Sequence, residues 1–284
     1  MLAGTVGAAF ACGNQAFAAD MATKAQPLSS TNCVQAVDGV NGKIGGFGGS
    51  AANHSYAGSE GSVSLPLGCE FGAQIDGLAS SFDNRFLAGA AAHLFMRNPA
   101  QGLLGVYGDY LNWDQFGGVR VGHVGGEGEL YNGQWTVRGL VGVEHGDSKS
   151  VTVGSVVQNF NMPTRFFDQA DIAYYLQDNL EVFAGQRYLG GKNAAAFGGE
   201  WGMPLGHGIM ASLFAEGLVG ENSFHGGWGG LRFYFGEKDK TLIRRHREDD
   251  PTDWDNDTLF GITNSQTGLP ATPPPCTGDG CGPV

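Results

Sequence analysis

From about residue 40 to residue 236 the chain repeats one rhythm: ten to fourteen residues of alternating side-chain character, then a turn. A period of two sorts the side chains of a strand onto opposite faces. Trp135, Val137, Val141 and Val143 fall on one face of such a stretch, and Thr136, Arg138, Leu140, Gly142 and Glu144 on the other. Leu180, Val182 and Ala184 alternate in the same way with Glu181, Phe183, Gly185 and Arg187, as do Leu231, Phe233 and Phe235 with Arg232 and Tyr234. Gln74 and Asp76 sit on the polar face of residues 71–77, and Asp171 on that of residues 170–176. Two stretches fit less well. Residues 119–130 change phase midway, as a glycine bulge would make them, and residues 86–96 are apolar on both faces.

The pattern predicts twelve strands, at 40–52, 58–66, 69–82, 86–96, 102–113, 118–130, 135–146, 167–178, 180–192, 195–203, 208–220 and 225–236, and a count of ten to fourteen is compatible with it. The connections differ by parity. After even strands they are short, as at Leu67-Gly68, residues 98–101, 131–134, 177–179 and 204–208; after odd strands they are longer or more polar, notably residues 146–165. Short turns on one side, longer loops on the other and an even strand count describe a bacterial outer-membrane barrel. In lipid every strand must be paired on both edges, so the sheet has to close. The expected fold is all-β: an antiparallel up-and-down transmembrane β-barrel over residues 40–236. Aromatic residues near the strand ends (Phe71, Phe95, Trp113, Trp135, Phe183, Trp201, Phe224, Trp228 and Phe235) read as interfacial girdles.

Residues 1–19 carry no charge and end in Ala16-Phe17-Ala18, a signal-peptidase pattern, so they read as an export signal. No Lys or Arg precedes the apolar run, so the true start of the signal is expected upstream of Met1. No later stretch approaches 18 apolar residues, which removes a membrane-spanning helix from consideration. Charged residues make up 15%, below the roughly 25% of soluble domains. Glycine accounts for 49 of 284 residues, more than twice the usual share of about 7%. The net charge of −12 argues against a nucleic-acid partner. Residues 20–39 are expected as an N-terminal periplasmic segment. Residues 237–284, charged and then rich in Asp, Thr, Pro and Gly, are expected as a disordered tail in the periplasm. Its cluster Arg244-Arg245-His246-Arg247 could meet anionic lipid or an envelope component, or simply be solvated.

At its end the barrel region resembles a known family, the glycine-rich outer-membrane β-barrel proteins of alphaproteobacteria. Residues 229–236 are similar to the final strand of that group, residues 240–251 to the segment that follows it, and residues 61–68 to an early strand and turn. The resemblance implies location and fold, and brings no activity or catalytic residue. Outer-membrane barrels usually finish on an aromatic residue read by the assembly machinery, and here about fifty residues follow Phe235. The partners expected are outer-membrane lipid and, during biogenesis, that machinery.

Candidate chemistry is sparse. No metalloprotease, phosphate-loop or nucleophile-elbow motif is present. The run Glu144-His145-Gly146-Asp147-Ser148 cannot form a catalytic array by itself, because neighbours at a strand end point in alternate directions. No catalytic residue, cofactor or metal is assigned. The charges expected in the lumen are Asp76, Asp109, Arg138, Glu144, Asp171, Glu181, Arg187, Glu216 and Arg232. They support two readings equally: a narrow pore for a small polar solute, in which facing acids and arginines set a transverse field, or ion pairs that brace a non-conducting structural or surface barrel. An outer-membrane hydrolase and a soluble secreted all-β protein are lesser alternatives. Cys12 leaves with the signal, and four cysteines in an oxidising compartment suggest two bridges. Cys33 and Cys69 fall on the same side of the barrel and are expected to pair, and Cys276 with Cys281. Two thiols without a nearby His make an incomplete zinc site.

Overall fold

The computed structural model describes residues 33–270. In chain order these form β1 (Asn41–Ala51), β2 (His54–Pro66), β3 (Phe71–Phe82), β4 (Arg85–Asn98), β5 (Gly102–Trp113), β6 (Val119–Asn132), β7 (Trp135–Gly146), β8 (Ser148–Val153), β9 (Val156–Asn161), β10 (Arg165–Gln177), β11 (Leu180–Leu189), β12 (Lys192–Gly206), β13 (Ile209–Gly220) and β14 (His225–Phe235). Then come α1 (Leu242–Glu248), a 3₁₀ turn (Asp255–Asp257), α2 (Thr258–Asn264) and β15 (Gln266–Pro270). All strands except β8, β9 and β15 close into a twelve-stranded antiparallel barrel. β10 pairs with β7 across the β8–β9 insertion, and the seam is β1 with β14, from Gly42 opposite Phe235 to Ala51 opposite Gly226. Closure satisfies the ladder hydrogen bonds and leaves no free sheet edge, which is what permits such a sheet in hydrocarbon. The bounds of β5 and β7 are those read from the sequence.

The faces are inverted relative to a soluble protein. On β7, Trp135, Val137, Val141 and Val143 are exposed while Thr136, Leu140 and Glu144 are buried. Across the wall Leu104 is 70% exposed and Ile75 63%, whereas Glu144 is 0% and Asp171 2% exposed. Burying the charges and displaying the aliphatics is costly in water and correct in lipid.

Three expectations need correction. β6 has no bulge: it pairs without interruption with both β5 and β7, and the register shifts lie at Tyr175/Gln177 and Pro204/Gly206. Its apparent change of phase arises because Val119 and Val121 face an apolar part of the interior, while His123, Glu127 and Glu129 on the same face meet a polar part. The parity of the connections is also weaker than the sequence suggested. At the end opposite the start of β1 (the crown), Ala52-Asn53 and Asp83-Asn84 make turns as tight as any at the other end (the base). All four residues have positive φ, as two-residue hairpins matching the strand twist require. Only residues 147–164 form a long crown loop, carrying the β8–β9 hairpin.

The third correction concerns residues 237–270, expected as a disordered periplasmic tail. They fold back and run the length of the barrel interior. α1 lies across the base, where Ile243 N donates to Asp178 O (3.0 Å), Arg245 to Gly208 O (2.8 Å) and Arg247 to Gly133 O (2.9 Å), so the helix is held by three separate hairpin turns. Two members of the basic cluster, Arg245 and Arg247, thus tie the helix to the base, while Arg244 stays half-exposed and pairs with Glu248. α2 lies at the crown, and β15 joins the β8–β9 hairpin as a third strand, with Gln266 opposite Phe160. Such a composition cannot order itself with water as its only partner, and here water is not the partner. The lumen supplies both polar groups and apolar surface, and buries Trp254, Leu259, Phe260 and Ile262.

At the base, Ala36 and Val37 pack against Phe95 and Leu103, and Ala36 N donates to Cys69 O at 2.7 Å. Cys33 and Cys69 are disulfide-bonded to each other, the pairing expected from the sequence. The signal region, the start of the N-terminal segment, and Cys276 and Cys281 lie outside the described residues.

Candidate functional site

Alternation along the strands turns one charged residue after another into the lumen. Arg138 on β7 pairs with Asp171 on β10 and Glu181 on β11, each at 3.1 Å. Arg187 on β11 meets Asp171 at 2.5 Å and Glu216 on β13 at 3.6 Å. Arg232 on β14 bridges Glu60 on β2 and Glu200 on β12. The opposite wall uses histidine between carboxylates. His93 sits between Asp76 (2.7 Å) and Glu127 (2.8 Å), and His123 between Asp109 (2.8 Å) and Glu144 (3.5 Å). All nine charged residues singled out from the sequence have inward side chains, and each takes part in one of these pairs.

The sequence reading missed Lys43, Glu60, His93, His123, Glu127, Glu129 and Glu200, which share the same inner surface. The signal was available: Lys43 alternates with the outward Ile44, Glu60 lies in phase with Ser62 and Ser64, and Glu200 lies two residues from Gly198 on a strand whose Phe197 and Trp201 face out. Glu144 and His145 diverge as expected. Glu144 points inward to Arg165 (2.8 Å), and His145 contacts Thr164 on the outside (2.8 Å).

The C-terminal segment threads through these walls. Lys43 Nζ contacts Asp250 (2.8 Å) and Asp253 (2.7 Å), and among the described residues it has no wall carboxylate in ion-pair range. Gln74 donates to Asp253 (3.1 Å), Tyr107 to Asp255 (3.0 Å) and Arg187 to Asp257 (2.7 Å). Tyr56 donates to the Asn256 side chain, whose amide reaches Glu60 at 2.9 Å. The groups that hold residues 250–257 thus come from β1, β2, β3, β5, β6 and β11, on both sides of the lumen. Beside them remains a cavity of about 80 Å³, bounded by Lys43, Arg187, Arg232, Glu216, His246 and Trp254. It has room for a few waters.

Toward the crown the interior becomes apolar. Trp113, Phe116, Phe160, Phe167, Phe224 and Trp228 pack around Trp254, Leu259, Phe260 and Ile262 of the segment. Phe260 stacks edge-on against Phe224, with ring centroids 4.9 Å apart, and occupies the space a side chain at Gly220 would need. Burial of each such side chain is worth about 1.5–3 kcal/mol. The aromatic girdle is corrected accordingly. Phe71, Trp135, Trp201 and Phe235 face outward near the base, as a girdle needs, but Phe95, Trp113, Phe224 and Trp228 are buried inside. Periodicity separates the two sets; position near a strand end does not.

At the base, burial pushes the Asp249 carboxyl up to about 6, even though Lys240 and Arg245 lie beside it. Burial also acts to raise Asp38, but its two lysine neighbours, Lys238 and Lys240, prevail and hold it below its ordinary value.

No protein-family model and no curated protein matches this chain. Among solved structures it is similar to an outer-membrane channel from Pseudomonas putida F1, at 11% identity and a TM-score of 0.49, over 70% of this chain and 95% of that one. It is also similar to the translocator domain of the autotransporter NalP from Neisseria meningitidis, at 13% identity and a TM-score of 0.44, over 70% and 90% of the two chains. The KdgM porin in complex with disordered oligogalacturonate matches at 5% identity and a TM-score of 0.46, over 68% and 98%. At these values the similarities describe barrel architecture alone.

Proposed function

We propose that this protein is an outer-membrane channel for small polar solutes, closed by its own C-terminal segment. One observation carries the reading: the space between the walls is wider than the wall side chains fill, and it is taken up by a length of chain held mid-way through polar, exchangeable contacts. Eight strands are filled by their own side chains and sixteen leave an aqueous bore, so a twelve-stranded wall without its insert would leave a narrow, charged passage. Its wall carboxylates outnumber the lysine and arginine side chains, which favours cationic or neutral solutes. In this reading the base faces the periplasm, residues 147–164 face the outside, and the wall sits in outer-membrane lipid after delivery by the barrel assembly machinery. The resemblance to glycine-rich barrels of alphaproteobacteria supports the same placement.

Planar-bilayer recording tests it. The refolded full chain should show brief openings, and a chain lacking residues 237–284 sustained ones. If the full chain never opens while it migrates as a folded barrel on unboiled gels, the second reading holds, that of a permanently filled structural barrel; a folded truncated chain that does not conduct either removes the channel altogether. The apolar packing of α2 at the crown is what favours that alternative.

A further inference from the structure

The segment that fills the lumen is acidic where the lumen is already acidic. Asp249, Asp250, Asp253, Asp255 and Asp257 lie within nine residues, and no Lys or Arg occurs between Asp249 and Ser265. Lys43 serves two of them. Asp253 also faces Asp76 and Glu60 from β3 and β2, and Arg232 of β14. Asp255 receives the Tyr107 hydroxyl but faces Asp76, Asp109 and Asp253.

The sharpest crowding is at Asp257. Arg187 of β11 is met there by three carboxyl groups: Asp171 of β10, Glu216 of β13 and Asp257 itself. Asp171 is shared with Arg138, whose other partner, Glu181, is also held by His246 of α1. The Glu216 and Asp257 carboxyls lie within hydrogen-bonding reach of each other. Glu216 Oε1 and Asp257 Oδ1 are both buried and accept no hydrogen bond from the protein, Arg187 Nη2 standing off Glu216 Oε1 at 3.6 Å. Arg187 is already shared among three carboxyl groups, so two of them this close are more stable when one keeps its proton, since two ionised ones repel.

We propose that the docked segment binds a proton between Glu216 and Asp257, so that the barrel closes as pH falls and releases the segment as pH rises. The proposal rests on the reading of the segment as a removable closure. Its sign follows from linkage. A carboxyl that is harder to ionise when docked than when free favours docking at low pH and loses that contribution as pH rises through its docked value. Asp249 at the base, pushed up to about 6, acts in the same direction. One shared proton weakens docking about tenfold per pH unit between the free and docked values.

The test uses the full chain refolded in liposomes, with Thr258→Cys as a near-isosteric reporter at a buried position of α2. Maleimide labelling is measured from pH 5 to pH 8 and divided by the rate for the same chain unfolded at each pH, which cancels the reactivity of the thiol. Normalised labelling should rise at least tenfold over that range. Glu216→Gln, whose amide can donate to Asp257 permanently, should lower the slope by about one proton. Should Glu216→Gln fail to fold, Asp257→Asn in the same background must show the reduced slope. A flat profile for the parent chain, or equal slopes for parent and variant, overturns the proposal. Conductance recorded alongside separates the two ideas: a pH-dependent reporter in a barrel that never conducts removes the channel and leaves the proton latch standing.

Discussion

Lys43 is the point at which the wall and its filling are most directly opposed. Its ammonium is buried and touches Asp250 and Asp253 at 2.8 and 2.7 Å, and neither carboxylate has another cation in ion-pair range among the described residues. Lys43→Met keeps the length of the stem and removes the charge, leaving two buried carboxylates with only Gln74 to bind one of them. Breaking a buried pair by removing one partner costs about 3–5 kcal/mol. At about 1.4 kcal/mol per factor of ten, docking of the segment should weaken by roughly two to nearly four powers of ten. The barrel itself should survive, because Lys43 makes no ion pair with the wall. Labelling of the Thr258→Cys reporter at pH 7 measures the docking loss, and migration of the unboiled protein measures barrel integrity. Adding Asp250→Asn and Asp253→Asn should restore most of the protection, since the buried charges then disappear with their partner. Protection equal to that of the parent chain in Lys43→Met alone would mean that the polar middle of the segment does not hold it, and the apolar crown does all of the work.

Val141→Arg, on the lipid face of β7, should cost roughly 2–4 kcal/mol of folding in lipid, and refolding yields equal to the parent's would remove that assignment. Gly190 has positive φ, and a methyl group there would approach Gly261 O to 2.8 Å. Gly190→Ala should therefore push α2 off the crown, read as faster hydrogen exchange over residues 258–264 with the β-strands unchanged. On intact cells, trypsin should cut at Lys149 in the crown loop, and resistance there together with cleavage within 237–250 would reverse the inside-outside assignment. Non-reducing peptide mapping should find a local Cys276–Cys281 bridge, and free thiols at both positions would exclude it.

The wall was legible because lipid on one side and charge on the other force a strict alternation, and Trp135–Gly146 carries that signature almost without interruption. The filling was not legible. Residues 249–257 have no apolar period, and their partners (Lys43, Gln74, Tyr107 and Arg187) are spread over four strands far away in sequence. A polar segment that folds only inside a polar cavity has the composition of one that does not fold. The same long-range dependence explains β6, where Val121 and Glu127 share one face but meet different surroundings. It also explains the misread aromatics, since Trp113 and Trp228 gain their apolar setting from α2 and the chain leading into it.

A ring of strands closed by the β1–β14 seam has no side door. The segment that fills it follows β14 in the chain, so the ring either sealed around it or admitted it end-first. Chains rarely thread through their own closed elements. Here the order of events matters to the product: a barrel that sealed first would have to draw in through the base the residues that later pair with β9 at the crown. Withdrawal obeys the same geometry. β15 must peel from β9 and α2 must leave the crown before α1 can move far from the base, so the two ends of the insert are released in sequence, and the crown sets the pace.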